Sequence, residues 1–506
     1  MLAVALRFGM DAGTLAPAIF PTHGNEGLAL TLDPDNWSEL RAQGHQMLDD
    51  MFDHLQTLRE RPVWQPIPDA LREEFQQVLP QEPTPLSTVH ARFLREIVPY
   101  AAGNAHPGFF GWVNGGGTPV GMLAEMLAAG LNANLGGRDQ MPLEVERQIL
   151  AWVRELFGFP RSASGLFVTG TSMANFIALL VARTKVLGVE VRSAGLGATG
   201  QRLVAYTSVS AHGCVAQAMQ LAGLGSDALR RIPVDADFEM DCTALQIAIA
   251  ADRAAGLLPF FVAATAGSVD VGAIDPLREI ATIAAREQLW FHVDGAFGAL
   301  AMLSPALAPQ LAGIELADSI AFDFHKWAQV PYDAGYILVR DGDLHYRTFA
   351  SPAAYLQRET RGLAGGSPWP CDFGPDLSRG FRALKTWFTI SVYGARQLGD
   401  VIATTCQLAR DFAAQIDQQP ALERMAPVAL NIVCLRYRSA SSDQVNRQIV
   451  IALQESGIAA PSTTTINGQF VIRVAIVNHR TLADDLQRLL QAILKLGAEL
   501  SAPSHV

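Results

Sequence analysis

From about residue 145 the chain is a succession of short, strongly apolar runs, "GLFVTG", "RLVAYTS", "LPFFVAATAG", "LWFHVDGA", "DSIAFDFHK" and "GYILVRD", separated by stretches with helical patterning. A strand with one face in water alternates apolar and polar residues. Runs this apolar must be covered on both faces, and in alternating order with helices that implies a mostly parallel sheet with helices packed on each side. An α/β unit is therefore expected, and its flanks read differently. Upstream, "NWSELRAQGHQMLDDMFDHLQTLRERP" spaces Leu40, Met47, Leu48, Met51, Phe52, Leu55 and Leu58 along one helical face. The Pro-rich run "RPVWQPIPDALREEFQQVLPQEPTPLS" that follows reads as an extended connector around a short helix, an arm over a partner surface that predicts a dimer. Downstream of "SRGFRALKTWFTISVYGARQLGDVIATTCQLARDFAAQI", the strands "ALNIVCLRYR" and "QFVIRVAIVN" and the helix "TLADDLQRLLQAILKLGAEL" predict a small α+β domain. The expected layout is an arm over 1–100, a large α/β domain over 101–395 and a small domain over 396–506.

The charge balance argues against several partner classes. Net charge is −11 and no Lys/Arg cluster is interleaved with aromatics, so nucleic acid and anionic membranes are poor partners and a small molecule is the expected ligand. The five cysteines, Cys214, Cys242, Cys371, Cys406 and Cys434, form no C-x-x-C pair and have no metal-ligand spacing. No metal is expected, and the cysteines read as reduced thiols. The opening "MLAVALRFGMDAG" lacks a basic segment ahead of its apolar start, and Arg7 and Asp11 interrupt it, so a signal peptide or spanning helix is not supported and a cytoplasmic protein is expected.

Ligands of open α/β sheets gather at the carboxyl ends of the strands, so the polar residues that end these runs belong together. "LFVTGTSMANFIALLVART" is a strand, a polar turn and a helix whose first turn offers Thr171, Ser172 and free backbone N–H groups, the makings of an anion cradle. "YTSVSAHGCVAQAM" adds His212, "AATAGS" adds Thr265, and "LWFHVDGAFGAL" ends on Asp294 ahead of the small residues Gly295 and Ala296, which let a flat group approach the backbone. "AFDFHKW" then brings His325 and Lys326 to a strand end, where a lone ammonium is costly unless paired, neutral or chemically used. Taken alone, each has an ordinary structural reading as a cap, a salt bridge or packing. One cofactor uses all of them: pyridoxal phosphate needs an amine for its Schiff base, a carboxylate for its pyridine nitrogen and an anion site for its phosphate.

"HVDGAFG", then "FHKW" with Lys326 lying 32 residues after Asp294, then "RGFRALKTWFTISVYG" resemble the pyridoxal-phosphate-dependent group II amino-acid decarboxylases, most of all the aromatic-L-amino-acid decarboxylases. The resemblance implies fold type I, a mostly parallel sheet of the seven-stranded type, and a homodimer with sites at the subunit interface. It implies that Lys326 is the Schiff-base lysine, Asp294 the pyridine-nitrogen partner, and that Ala296 lies against the ring with His212 stacked on the other face. Thr265 is expected near the ring hydroxyl, and Thr171, Ser172 and His325 at the phosphate. A tyrosine on a mobile loop protonates the carbanion in that family; it matches Tyr355 in "ASPAAYLQRETRGLAGGSPW", where phenylalanine would accompany aldehyde formation.

"NAHPGFFGWVNGGGTP" resembles the family's substrate wall, with Phe110 and Trp112 at its aromatic positions, which suit a flat apolar side chain. Asn134 and Gly136 stand where aromatic-substrate members carry bulky residues, so a wider or more polar pocket is expected there. Arg138 beside them is the one candidate receptor for an acidic substrate, while Ser378 lies where serine accompanies phenolic substrates in plant relatives. Asp323 is anomalous: alternation places its carboxylate on the face of His325, toward a phosphate, unless the chain bends or a donor intervenes.

Overall fold

Residues 31–351 and 358–502 are described in the computed structural model of this chain, which clusters into two compact units, Met1–Asp50 and Met51–Val506. The expected N-terminal helix, α1, forms over Trp37–Gln56. Asn36 starts it, its Oδ1 accepting the backbone N–H groups of Ser38 and Glu39 at 3.1 and 3.2 Å.

The larger sheet has seven strands. In chain order they are β2 (Ser164–Val168), β3 (Leu203–Ser208), β4 (Leu229–Ile232), β5 (Leu258–Thr265), β6 (Trp290–Asp294), β7 (Ser319–Asp323) and β8 (Gly335–Val339), after a short β1 (Phe109–Phe110) in a second sheet. Their spatial order is β2-β8-β7-β6-β5-β3-β4, and every neighbouring pair is parallel except the two that involve β8. The helices α2 (Thr171–Leu187), α3 (Cys214–Leu221), α4 (Cys242–Ala254) and α5 (Leu277–Glu287) make the crossovers. Both faces are covered, as the apolar runs require. Along β5, Val262 and Ala264 enter one apolar cluster while Phe261 and Ala263 enter the other; along β7, Ile320 and Phe322 take one side and Ala321 the opposite. The alternation of side chains across a strand thus feeds two separate cores.

The second sheet runs β1-β11-β12-β10-β9, with β9 (Leu422–Arg424), β10 (Ile432–Tyr437), β11 (Ala460–Ile466) and β12 (Gln469–Ala475). It is antiparallel apart from the β1–β11 pair. Helix α6 (Arg382–Asp417) connects the two halves: Ala383 and Leu384 sit in a large-sheet core, and Phe412, Ala413 and Ile416 in the core of the small one. Its path breaks at Gly394 (φ 74°, ψ 152°), a conformation that favours glycine and lies beside the boundary expected near 396. Helices α7 (Ser442–Glu455) and α8 (Ala483–Ser501) close the small domain.

Candidate active site

Parallel register sets the floor of the site. Thr265, the last residue of β5, pairs with Asp294, the last of β6, and Asp294 pairs in turn with Ala321 of β7. Three strand ends therefore open on one cavity of about 430 Å³. Thr171, Ser172, His212, Thr265, Asp294, Ala296, His325, Lys326 and Trp112 all line it. A larger cavity of about 660 Å³ opens elsewhere beside Glu146, Arg154 and Tyr346, but neither lysine nor histidine is among its described lining residues. Chemistry, not volume, selects the site.

Lys326 lies in the turn after β7, with its Nζ 3.0 Å from Asp323 Oδ2. This resolves the Asp323 anomaly. The strand ends at Asp323, the chain bends, and the turn returns a cationic donor to the carboxylate. The same oxygen lies 3.7 Å from His325 Nε2. His325 Nδ1 accepts the Ala334 N–H at 3.0 Å, so in the neutral ring the proton sits on Nε2, and burial pulls the imidazole below its usual range. Tyr332 packs on that ring at 4.2 Å between centroids, and its hydroxyl donates to Asn114 Oδ1 at 2.7 Å. The backbone of "NGGG" runs directly against the lysine turn: a Cβ on Gly115 would sit 2.3 Å from the Lys326 carbonyl oxygen.

Asp294 is nearly sealed, at 4% exposed. Its Oδ2 accepts from Asn175 Nδ2 at 2.9 Å and its Oδ1 from the Ala296 N–H at 3.2 Å. Burial raises the carboxyl above the ordinary range, against the lowering pull of Asn175 and Lys326. Asp294 therefore lacks a full counter-charge, and a protonated ring nitrogen in the cavity would supply one. Among the described residues, Thr171 Oγ1 at the start of α2 and Asp323 Oδ1 are buried without a hydrogen-bond partner. Across the cavity the exposed His212 is turned by the Cys214 N–H, which donates to its Nδ1 at 3.1 Å. Thr265 is tied to a buried carboxyl, its N–H donating to Asp275 Oδ2 at 2.7 Å; burial pushes Asp275 up to about 7. An amine, a buried carboxylate short of counter-charge and an unpartnered hydroxyl at a helix start match the donor set that pyridoxal phosphate requires.

Some expectations need correction. Phe110, expected on the substrate wall, is fully buried in the small-domain core with Phe412 and Val433, because β1 is recruited by β11 and turns that side chain inward. Trp112 does reach the cavity, 64% exposed and held at φ 48°. Asn134 and Gly136 do not widen this cavity. Asn134 Oδ1 accepts the N–H groups of Gly136 and Arg379 at 2.9 and 3.0 Å, and a Cβ on Gly136 would meet the Leu377 carbonyl oxygen at 1.9 Å, so the backbone crossing excludes a bulky residue. Arg138 stacks on Trp369 at 4.7 Å, and neither it nor the exposed Ser378 lines the cavity. Tyr355 lies outside the described residues.

The sequence reading missed Asn175 and His292. Each had a visible signal: Asn175 follows Thr171 by one helical turn, and His292 precedes Asp294 by two residues, which is the same face of β6.

This site and fold define a pyridoxal-phosphate enzyme, and comparison with known proteins gives the family. The pyridoxal-dependent decarboxylase conserved domain matches residues 68–438. An aromatic-L-amino-acid decarboxylase of Bacillus atrophaeus is 33% identical over 476 residues, covering 92% of this chain and 96% of that protein. Its Sus scrofa counterpart is 31% identical over 484 residues, covering 92% and 98%. Among solved structures, Oryza sativa TDC with PLP and tryptamine superposes with a TM-score of 0.85 at 25% identity, over 93% of this chain and 100% of that one. The chain belongs to the pyridoxal-dependent decarboxylases. It is a carboxy-lyase, and its cofactor is pyridoxal phosphate.

Proposed function

We propose that this enzyme decarboxylates an aromatic L-amino acid of the tyrosine, dihydroxyphenylalanine or tryptophan type, releasing the amine and CO₂. The observation that carries the substrate class is Trp112, a large exposed aromatic surface on the cavity rim above the Lys326–Asp294 floor. The relatives named aromatic-L-amino-acid decarboxylases support the same reading.

Bound pyridoxal phosphate supplies a carbonyl for the substrate amine and an electron sink for the bond pair left by CO₂. Lys326 Nζ, at the strand-end turn, is the amine that anchors the cofactor and yields to the substrate. Asp294, nearly sealed from water, would hold a proton on the ring nitrogen. Ala296, His212 and Thr265, which line the cavity, would hold the ring, Ala296 and His212 against its faces and Thr265 near its hydroxyl. Thr171 Oγ1, Ser172 and His325 Nε2, gathered near the start of α2, would donate to the phosphate. Tyr355 would deliver the proton that completes the amine, as the matching tyrosine does in the family this sequence resembles.

The assembly proposed is a homodimer, in the cytoplasm. Phe75, Val78 and Leu79 in the Pro-rich run, and Val89 and Ile97 just after it, leave large apolar side chains exposed, a surface suited to cover by a second copy. Among the described residues, no helix is long and apolar enough to cross a membrane. The test is CO₂ release over a panel of tyrosine, dihydroxyphenylalanine, tryptophan, 5-hydroxytryptophan, phenylalanine, histidine, glutamate and aspartate, with light scattering on the same preparation. Turnover of aromatic members by a dimer is expected; turnover confined to glutamate and aspartate would overturn the substrate class, and an active monomer the assembly.

A further inference from the structure

Behind Asp294 lies a chain of buried polar side chains that meets the cavity lining at that carboxylate and at Cys214. Trp290 Nε1 is 2.7 Å from Ser319 Oγ; Ser319 Oγ is 2.8 Å from His292 Nδ1; His292 Nε2 is 2.7 Å from Asn175 Oδ1; and Asn175 Nδ2 is 2.9 Å from Asp294 Oδ2. Ser319 and His292 are fully sealed, and Asn175 and Trp290 nearly so. Polar groups this deep are expensive unless each is satisfied, so the direction of every bond matters.

That direction can be worked out from the two ends. An indole N–H can only donate, so Trp290 takes one lone pair of Ser319 Oγ. The other end fixes the rest: an ionised Asp294 oxygen can only accept, so Asn175 gives it an N–H and presents its oxygen to His292 Nε2, which carries the ring proton and leaves Nδ1 to accept the Ser319 hydroxyl proton. The reverse polarity places the proton on Nδ1, makes Nε2 an acceptor and swings the Asn175 amide round. A carbonyl oxygen would then face the Asp294 carboxylate at hydrogen-bond distance, tolerable only if Asp294 took up a proton itself. A protonated Asp294 could no longer hold the proton of a ring nitrogen.

We propose that Trp290, Ser319, His292 and Asn175 form a neutral positioning relay that keeps an N–H donor on Asp294, and so keeps the pyridine nitrogen of bound pyridoxal phosphate protonated. The inference rests on the reading of Asp294 as the partner of that nitrogen. Two observations agree with a neutral relay. Burial lowers His292 to about 3, so the ring is uncharged at working pH. The Cys214 thiol, 3.2 Å from Asn175 Nδ2 and 3.8 Å from Asp294 Oδ2, is pushed up to about 12 and stays protonated beside the same carboxylate. The charged or titratable groups that face Asp294 are Lys326 and His212 on the cavity side and the protonated Cys214 thiol beside Asn175, and the relay adds no charge of its own.

The test uses the full-length holoenzyme loaded with pyridoxal phosphate carrying ¹⁵N in the ring, whose shift reports the protonation of that nitrogen directly. Ser319→Ala removes the hydroxyl that sets the tautomer; His292→Phe keeps an aromatic ring against Phe261, on which His292 is stacked at 5.5 Å, but removes both nitrogens. Both variants are expected to lower the pH midpoint of ring-nitrogen deprotonation by about one unit or more, roughly a tenfold change in that equilibrium. Ser319→Thr, which restores the hydroxyl, is expected to return it. A packing defect alone would lower the melting temperature without moving the ¹⁵N midpoint. Ser319→Ala deletes a single oxygen and carries the test if His292→Phe does not fold. Cofactor-bound relay variants with the wild-type midpoint would overturn the relay if Asp294→Asn moves it; if Asp294→Asn also leaves it unmoved, the reading of Asp294 falls and the relay with it.

Discussion

The floor of the cavity and its rim are built on different principles. Floor residues end parallel strands whose register is fixed by two apolar cores, and their polar atoms are mostly tied to buried partners, as Asp294 is to Asn175 and Thr265 to Asp275. Rim residues ride on loops and face water, as Trp112 and His212 do. The floor carries chemistry that admits little displacement, while the rim is free to vary with the substrate. Substitutions on the floor should therefore abolish or retune the cofactor step, and substitutions at the rim should redirect its outcome.

The largest effect is expected at Lys326. Lys326→Ala removes the anchoring amine and leaves Asp323 buried without its cation, so turnover should fall by at least about 10³-fold. Single-turnover CO₂ release checks it, and a variant within tenfold of wild type would break the contrast at its strongest point. Tyr355→Phe should lower amine formation by about 10²–10⁴-fold, the range for a lost proton donor, with aldehyde and peroxide appearing as dioxygen is consumed. Chromatography of the products reads it, and undiminished amine would remove Tyr355 from the mechanism.

A smaller effect is expected in the dependence of stability on pH. Burial lowers His292 and His345 to about 3 and His479 to about 4, so all three are neutral in the fold yet take up protons when unfolded below about 6.5. Stability from these groups is complete above that pH and is lost as pH falls from about 6.5 toward 3. Asp275, raised to about 7, works the other way, stabilising below 3.8 and losing that contribution as pH rises toward 7, but the histidines outnumber it. The melting temperature should drop on acidification through that window, and less steeply in His345→Phe; an unchanged slope in that variant would contradict the sign. The smallest effect belongs to Asp323→Asn. Loss of an anion beside the phosphate donors should tighten cofactor binding by up to about tenfold, ~1.4 kcal/mol, measured by equilibrium dialysis. Weaker binding would make the carboxylate a contributor rather than an obstacle.

What could be read from the sequence follows the same division. Apolar runs at strand spacing disclosed the doubly covered sheet, and the polar residues that end them disclosed the floor, because a strand end is a place that the chain cannot easily move. Phe110 was misread because its fate depends on β11, some 350 residues later, whose pairing with β1 carries that ring into the small-domain core. Asn134 and Gly136 were misread for a similar reason: the constraint on them is the Leu377 and Arg379 backbone, which no local pattern announces. Asn175 and His292 were within reach of periodicity, but their partnership through space was not.

The central claim is that Lys326 holds the cofactor. Borohydride reduction of the loaded enzyme, followed by peptide mapping, tests it against a demanding competitor: Lys385 is buried where Lys326 is half-buried, but it is engaged by Glu125 and the Tyr332 carbonyl, each at 2.9 Å. The expected result is a reduced pyridoxyl label on the peptide containing Lys326 and on no other. A label on Lys385, or a coloured enzyme that reduces without labelling Lys326, would contradict the account.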